Sequence, residues 1–211
     1  SPYAVDNIRF RKNYEKLRNR KIILRKENKI PYDKVIVLFS GKLIPKKRPL
    51  DLIKAFYKIT QNNSFLIFMG DGYLRNKLET EIANHNISNV LITGFINQSE
   101  LMKYYALADI FVLPSSVGET WGLVVNEAMN FNLPIITSDM VGCSPDLVID
   151  NFNGFKYELG NINELAEYLD ILAANNAKRE EFGINSSKIV KKYSYTKTVF
   201  TIRNLITNSV P

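Results

Sequence analysis

The sequence predicts a doubly wound α/β fold, a parallel sheet covered by helices on both faces. Three observations lead there. Five runs of three to five residues between 35 and 137, built mainly of β-branched, leucine or aromatic residues, are apolar on both faces, as buried parallel strands are. Longer stretches with helical periodicity separate them. The chain has 211 residues, 45% of them hydrophobic, enough to bury a core as one domain.

The elements follow in order. Residues 1–33 begin extended and turn into a basic helix that Pro31 stops. Strands are expected at 35–39, 65–69, 90–92, 110–113 and 134–137. After the first strand, Leu50, Ile53, Ala55, Phe56 and Ile59 share one side of a helix. Leu74, Leu78, Ile82 and Ala83 do so in the next helix, and Leu101, Tyr104, Tyr105 and Leu107 in the third. A fourth helix starts at Gly122 and carries Val124, Ala128 and Met129 inward. Residues 162–208 read as two or three consecutive helices without strands. Asn161 or Asn163 would cap the first and Ser194 or Thr196 the last.

Composition narrows the function. The net charge is +7, but ten Lys or Arg against Glu15 and Glu27 lie between Arg9 and Lys29, so the rest of the chain nets −1. That distribution is a basic arm, not a charged groove, and no zinc-finger or RNP spacing accompanies it, so nucleic acid is not an expected partner. The arm reads as a solvated helix, or as a contact for anionic lipid head groups or for a partner domain. No apolar run reaches the roughly 20 residues of a membrane span, and residues 1–10 lack a signal peptide's apolar stretch. A single cysteine, Cys143, excludes an internal disulfide and suits a cytoplasmic setting.

Several chemistries are missing. His85 and Cys143 are each unique, too few for a transition-metal cluster or a local triad. His85 reads as an exposed loop residue and Cys143 as a small filler. There is no Walker A lysine loop, and Gly70-Asp71-Gly72 lacks the third glycine of a dinucleotide fingerprint. No Asp-x-Asp occurs to hold a divalent ion on a diphosphate, so lysines and backbone amides would have to hold one.

Two loops supply such groups, both at carboxyl ends of strands, where this architecture binds ligands. In the first, Gly41 permits a tight turn, and Lys42, Lys46, Lys47 and Arg48 follow within seven residues, just before a helix. The alternative is a solvated basic turn. In the second, Glu119 lies ahead of a helix start, the amides of Trp121, Gly122, Leu123 and Val124 would face the ligand, and Glu127 follows on the helix. A carboxylate readily accepts from two adjacent hydroxyls of a sugar. Taken singly, Glu119 could be a cap and Glu127 an exposed helix charge.

Together these segments resemble the retaining GT-B glycosyltransferases of family 4, the glycosyl transferases group 1. Glu119 and Glu127, with seven residues between them, resemble that family's E-x7-E motif. Phe39-Ser40-Gly41-Lys42-Leu43 with Lys47-Arg48-Pro49 is similar to its first donor loop, Met69-Gly70-Asp71-Gly72 to its second-strand turn, and Thr93-Gly94-Phe95 to its base-binding loop. Val141-Gly142 with Pro145-Asp146 and Asn153-Gly154-Phe155 resembles its late loop, and Pro2-Tyr3-Ala4-Val5-Asp6-Asn7 with Phe10 its interdomain linker.

The resemblance implies a Rossmann-like C-terminal domain that binds a UDP- or GDP-hexose without metal and transfers the hexose to an acceptor hydroxyl with retention, in polysaccharide or glycolipid synthesis. Residues 1–33 become linker and basic helix, 34–193 the nucleotide-sugar-binding domain, and 194–211 a helix that crosses to an N-terminal acceptor domain missing from this chain. Lys42 and Lys47 would hold the diphosphate, with Gly41 at the turn. Glu119 would contact the transferred sugar and Glu127 the ribose hydroxyls. The amides around Trp121, Gly122, Leu123 and Val124 would receive sugar and phosphate oxygens, and Phe95 would flank the base. Trp121 stands where phenylalanine is usual and Arg48 where glycine is, so Lys46, Lys47 and Arg48 compete for the phosphate contact. The sequence Gly142-Cys143-Ser144-Pro145-Asp146 departs from the family's late loop, and Cys143 and Asp146 are given no contact. The alternatives are an epimerase or phosphorylase on the same scaffold, and a non-catalytic nucleotide-binding domain.

Overall fold

The computed structural model describes residues 3–60 and 63–208. Pro2 of the linker motif and Ser209, Val210 and Pro211 beyond the last helix lie outside them. Six strands form one parallel sheet: β1 Val35–Ser40, β2 Ser64–Met69, β3 Val90–Gly94, β4 Ile110–Leu113, β5 Ile135–Ser138 and β6 Gly154–Tyr157. Their order is β3-β2-β1-β4-β5-β6, the doubly wound arrangement expected.

The helices are α1 Asn7–Leu17, α2 Lys21–Glu27, α3 Pro49–Lys58, α4 Arg75–Asn84, α5 Gln98–Leu107, α6 Leu123–Met129, α7 Ser144–Leu147, α8 Ile162–Ala174, α9 Asn176–Val190 and α10 Tyr195–Asn208. Alternation along the strands divides the core in two. Ile36, Leu38 and Ile67 pack with α1, α2, α5 and α6 on one face, while Val37, Phe39, Leu66 and Phe68 pack with α3, α4 and α8 on the other.

Four details differ from expectation. The strand β6 lies where the sequence predicts only a loop, because Gly154-Phe155-Lys156-Tyr157 has no continuous apolar run. It lies at the sheet edge, where a half-exposed lysine is tolerated, and a side chain at Gly154 would collide with the Ile135 carbonyl. In α6, which begins at Leu123, Ala128 and Met129 are buried as expected, but Val125 is buried in place of Val124, which is half-buried. In α4 only Leu78 is buried and Ala83 is exposed. In α5, Met102 and Ala106 are buried, while Leu101 and Tyr104 are half-buried.

The basic arm is docked, not merely solvated. Phe10, Leu17, Leu24 and Ile30 enter the core. Arg25 is buried: its guanidinium donates to the Leu107 carbonyl at 3.0 and 2.8 Å, to the Tyr32 and Lys34 carbonyls at 3.0 Å each, and to Asp109 at 2.5 Å. These bonds tie α2 to the starts of β1 and β4, so residue 33 marks no break in packing. Asp6 caps α1, Asn161 caps α8 and Asn175 caps α9, each accepting from a first-turn amide, which stabilises each helix by about 1 kcal/mol. The Lys197 amide donates to Ser194 Oγ at the start of α10. Its Val199, Phe200, Leu205 and Ile206 are exposed. Among the described residues, no helix is long and apolar enough to cross a membrane.

Candidate functional site

The strand order reverses between β1 and β4, which are parallel neighbours in the sheet, and the loops that leave their carboxyl ends meet above this point. The Ser116 amide donates to the Lys46 carbonyl at 2.8 Å, and Lys46 Nζ to the Gly118 carbonyl at 3.2 Å. Lys47 forms an ion pair with Glu119, their side chains only 15% and 11% exposed. The Lys47 stem passes over Gly41, where an added Cβ would lie 3.5 Å from Cε, and Glu119 Cγ lies 3.7 Å from the equivalent point at Gly122. Gly41, Lys47, Glu119 and Gly122 are therefore assembled in one place.

Glycine makes this assembly fit. Gly122 precedes α6 with φ +90°, a left-handed conformation, and a Cβ there would sit 2.8 Å from Leu113 Cδ2. At Gly70 a Cβ would lie 2.0 Å from the Gly41 carbonyl oxygen. The Gly70-Asp71-Gly72 turn thus packs against the first loop, whose Leu43 amide donates to the Asp71 carbonyl of the turn at 2.9 Å. From the other side, the amides of Gly142 and Cys143 donate to the carbonyls of Glu119 and Trp121, each at 3.0 Å. The late loop is a support for the second loop. The buried Cys143 thiol is pushed up by its burial, so it is no nucleophile at neutral pH.

A cavity of about 550 Å³ opens beside the assembly, with Ser40, Gly41, Lys42, Asp71, Phe95 and Ile96 in its wall. Lys42 is exposed, and Phe95 stands 80% exposed at the rim. Glu127 is half-buried on α6, and its Oε2 accepts from the Tyr105 hydroxyl at 2.7 Å. Burial raises the Glu127 carboxyl above its ordinary range, against the lowering effect of the Tyr105 bond.

Not every expected residue points to this place. Arg48 adopts a left-handed conformation (φ +48°) and pairs with Asp51 in the first turn of α3, which separates it from Lys47. The Trp121 ring turns toward the chain's beginning. It stacks on Tyr3 at 4.9 Å, and its Nε1 donates to Asn126 Oδ1 at 2.8 Å. What Trp121 offers the cleft is therefore backbone. Leu123 is exposed and Val124 half-buried; as first-turn residues their amides have no intrahelical acceptor. His85 is exposed, 4.2 Å from the Tyr57 ring. The sequence predicts Tyr105 only as a core residue; its hydroxyl, one of two on that helix face with Tyr104, is the available signal. A second cavity, about 370 Å³, lies at the opposite ends of the strands between Lys21, Asp109 and Arg179. Among the described residues, no three His, Cys, Asp or Glu cluster closely enough to hold a metal ion.

Comparison with known proteins gives a coherent result. The family model described as "Glycosyl transferases group 1" matches residues 20–189. An uncharacterized glycosyltransferase of Methanocaldococcus jannaschii is 32% identical over 168 residues, covering 80% of this chain and 46% of that protein. The C-terminal domain of a glycosyl transferase group 1 family protein from Francisella tularensis superposes with a TM-score of 0.75 at 22% identity, over 83% of this chain and 93% of that one. A TarM mutant of S. aureus, crystallised with fondaparinux, α-GlcNAc-glycerol and UDP, superposes with a TM-score of 0.74 at 27% identity, over 82% of this chain and 35% of that one. The chain spans less than half the length of the curated relatives it matches.

Proposed function

The chain belongs to the glycosyl transferases group 1 family, and from that membership we propose that it is the donor-binding half of a retaining hexosyltransferase of family 4. The observation that carries the proposal is the Lys47–Glu119 pair, which joins the cationic loop to the E-x7-E loop beside the cavity. The donor is a nucleoside diphosphate hexose, with UDP favoured over GDP because the 27%-identical relative was crystallised with UDP. The base lies against Phe95, the ribose against Glu127, and the diphosphate against Lys47, Lys42 and the amides of Gly122 and Leu123.

Charge develops on the diphosphate as it leaves. Cations and amides already aimed at it stabilise that charge without reorganisation, the role a metal plays elsewhere. Lys47 pairs with Glu119; the arriving diphosphate takes over the ammonium and frees the carboxylate for the sugar. Arg48, engaged by Asp51, leaves this task to Lys42 and Lys47. Transfer on the departing side, assisted by the leaving phosphate, is the route that the resemblance to family 4 favours.

The acceptor is bound by an N-terminal domain outside this chain. The exposed apolar residues of α10 and the length of the relatives support this. Polysaccharide or glycolipid synthesis at the cytoplasmic face is the proposed setting. The arm, with Ile22 and Ile23 exposed among its lysines and arginines, is the proposed peripheral contact with the membrane.

A calorimetric titration with UDP, GDP, ADP and CMP, with and without EDTA, tests the reading. One nucleoside diphosphate is expected to bind, unaffected by EDTA, and Glu127→Ala is expected to weaken it about tenfold or more. Binding abolished by EDTA, or untouched by Glu127→Ala, contradicts it.

A further inference from the structure

Glu127 is held from the core side. The Tyr105 hydroxyl that donates to it at 2.7 Å belongs to a fully buried side chain, set between Phe111 and Phe131 at ring separations of 6.0 and 5.6 Å. Ser40, at the end of β1, stands in the cavity wall. The Tyr105 hydroxyl is thus a buried donor aimed at the carboxylate on α6.

Packing alone does not call for this hydroxyl. Phenylalanine would fill the same space and bring no polar atom to satisfy. A glutamate has three rotatable bonds, and a half-exposed one samples several orientations unless something fixes it. The tyrosine ring has two, and both are immobilised by the neighbouring rings. One lone pair on Oε2 is taken, and each carboxylate oxygen keeps capacity for a ligand hydroxyl.

We propose that Tyr105 is a positioning residue for donor recognition, holding the Glu127 carboxylate where it accepts both vicinal hydroxyls of the ribose and so selecting a ribonucleotide over a 2′-deoxyribonucleotide. Tyr105 acts through Glu127 and does not itself touch the ligand. The proposal rests on the reading of Glu127 as the ribose acceptor.

The test titrates the protein with UDP, GDP and their 2′-deoxy forms, comparing wild type, Tyr105→Phe, Glu127→Gln and the double variant. The expected result is that Tyr105→Phe loses about tenfold in affinity for the ribonucleotide and little for the deoxy form, with an unchanged melting temperature. The double variant should bind no more weakly than Glu127→Gln, because both changes remove one function. Tyr105→Phe that keeps the wild-type preference, or that weakens both nucleotides equally, overturns the proposal. A wild type without any preference overturns the ribose reading itself, and Tyr105 loses its role with it. Glu127→Gln, altered on the half-exposed side of the bond, keeps the comparison meaningful if the core variant proves unstable.

Discussion

Lys47 and Glu119 are 72 residues apart in sequence and become partners only because β1 and β4 are neighbours in the sheet. Each was nonetheless legible as a charge at the carboxyl end of a strand. Two other charges were not. Arg48 looked equivalent to Lys47, but a left-handed turn aims it at Asp51. Asp109 drew no attention, yet it accepts from Lys21 at 2.5 Å, Arg25 at 2.5 Å and the Ile36 amide at 2.7 Å. Burial alone would raise its pKa; Lys21, Arg25 and that amide outweigh burial and set it below the ordinary value. A depressed carboxyl stabilises the fold above its unfolded pKa and loses that contribution as pH falls through the folded one. Asp109→Asn leaves Arg25 buried without its counter-charge and is expected to destabilise by about 3–5 kcal/mol in urea at neutral pH. The difference should shrink on acidification. Equal stability of the two proteins at neutral pH contradicts the assignment.

Four of the five expected strands were legible because a strand buried on both faces must be apolar throughout, and the half-buried edge strand β3 through its Val90-Leu91-Ile92 run. The other edge strand, β6, escaped because Gly154 and Lys156 interrupt its apolar residues. In α6, Ala128 and Met129 are buried as the periodicity predicts, and Val125 takes the place of Val124. Gly122 is the residue that starts the element. An alanine there would take a left-handed conformation and press on Leu113 Cδ2 at 2.8 Å. Gly122→Ala is expected to cost about 1–3 kcal/mol and to weaken nucleotide binding, because the first turn of α6 must shift. Unchanged melting and unchanged affinity would mean the loop relaxes freely and that Gly122 does not set the site.

For the molecule as a whole, the sequence pattern specified the architecture and the end of the sheet at which the two candidate loops meet, because strand polarity and connection order decide both. The docking of the basic arm was not legible. Charge suggested solvent, and burial of Arg25 depends on carbonyls of residues 32, 34 and 107, which only the folded chain gathers. The exposed apolar residues of α10 and the cavity beside the two loops lie on a chain that spans less than half the length of its curated relatives. The most direct test of the central claim is a crystal structure of the chain with the nucleoside diphosphate that binds it. The account predicts the diphosphate against Lys47, parted from Glu119, with the ribose on Glu127 and the base beside Phe95. A nucleotide lodged at the opposite end of the strands by Lys21 and Arg179, with the Lys47–Glu119 pair intact, would contradict it.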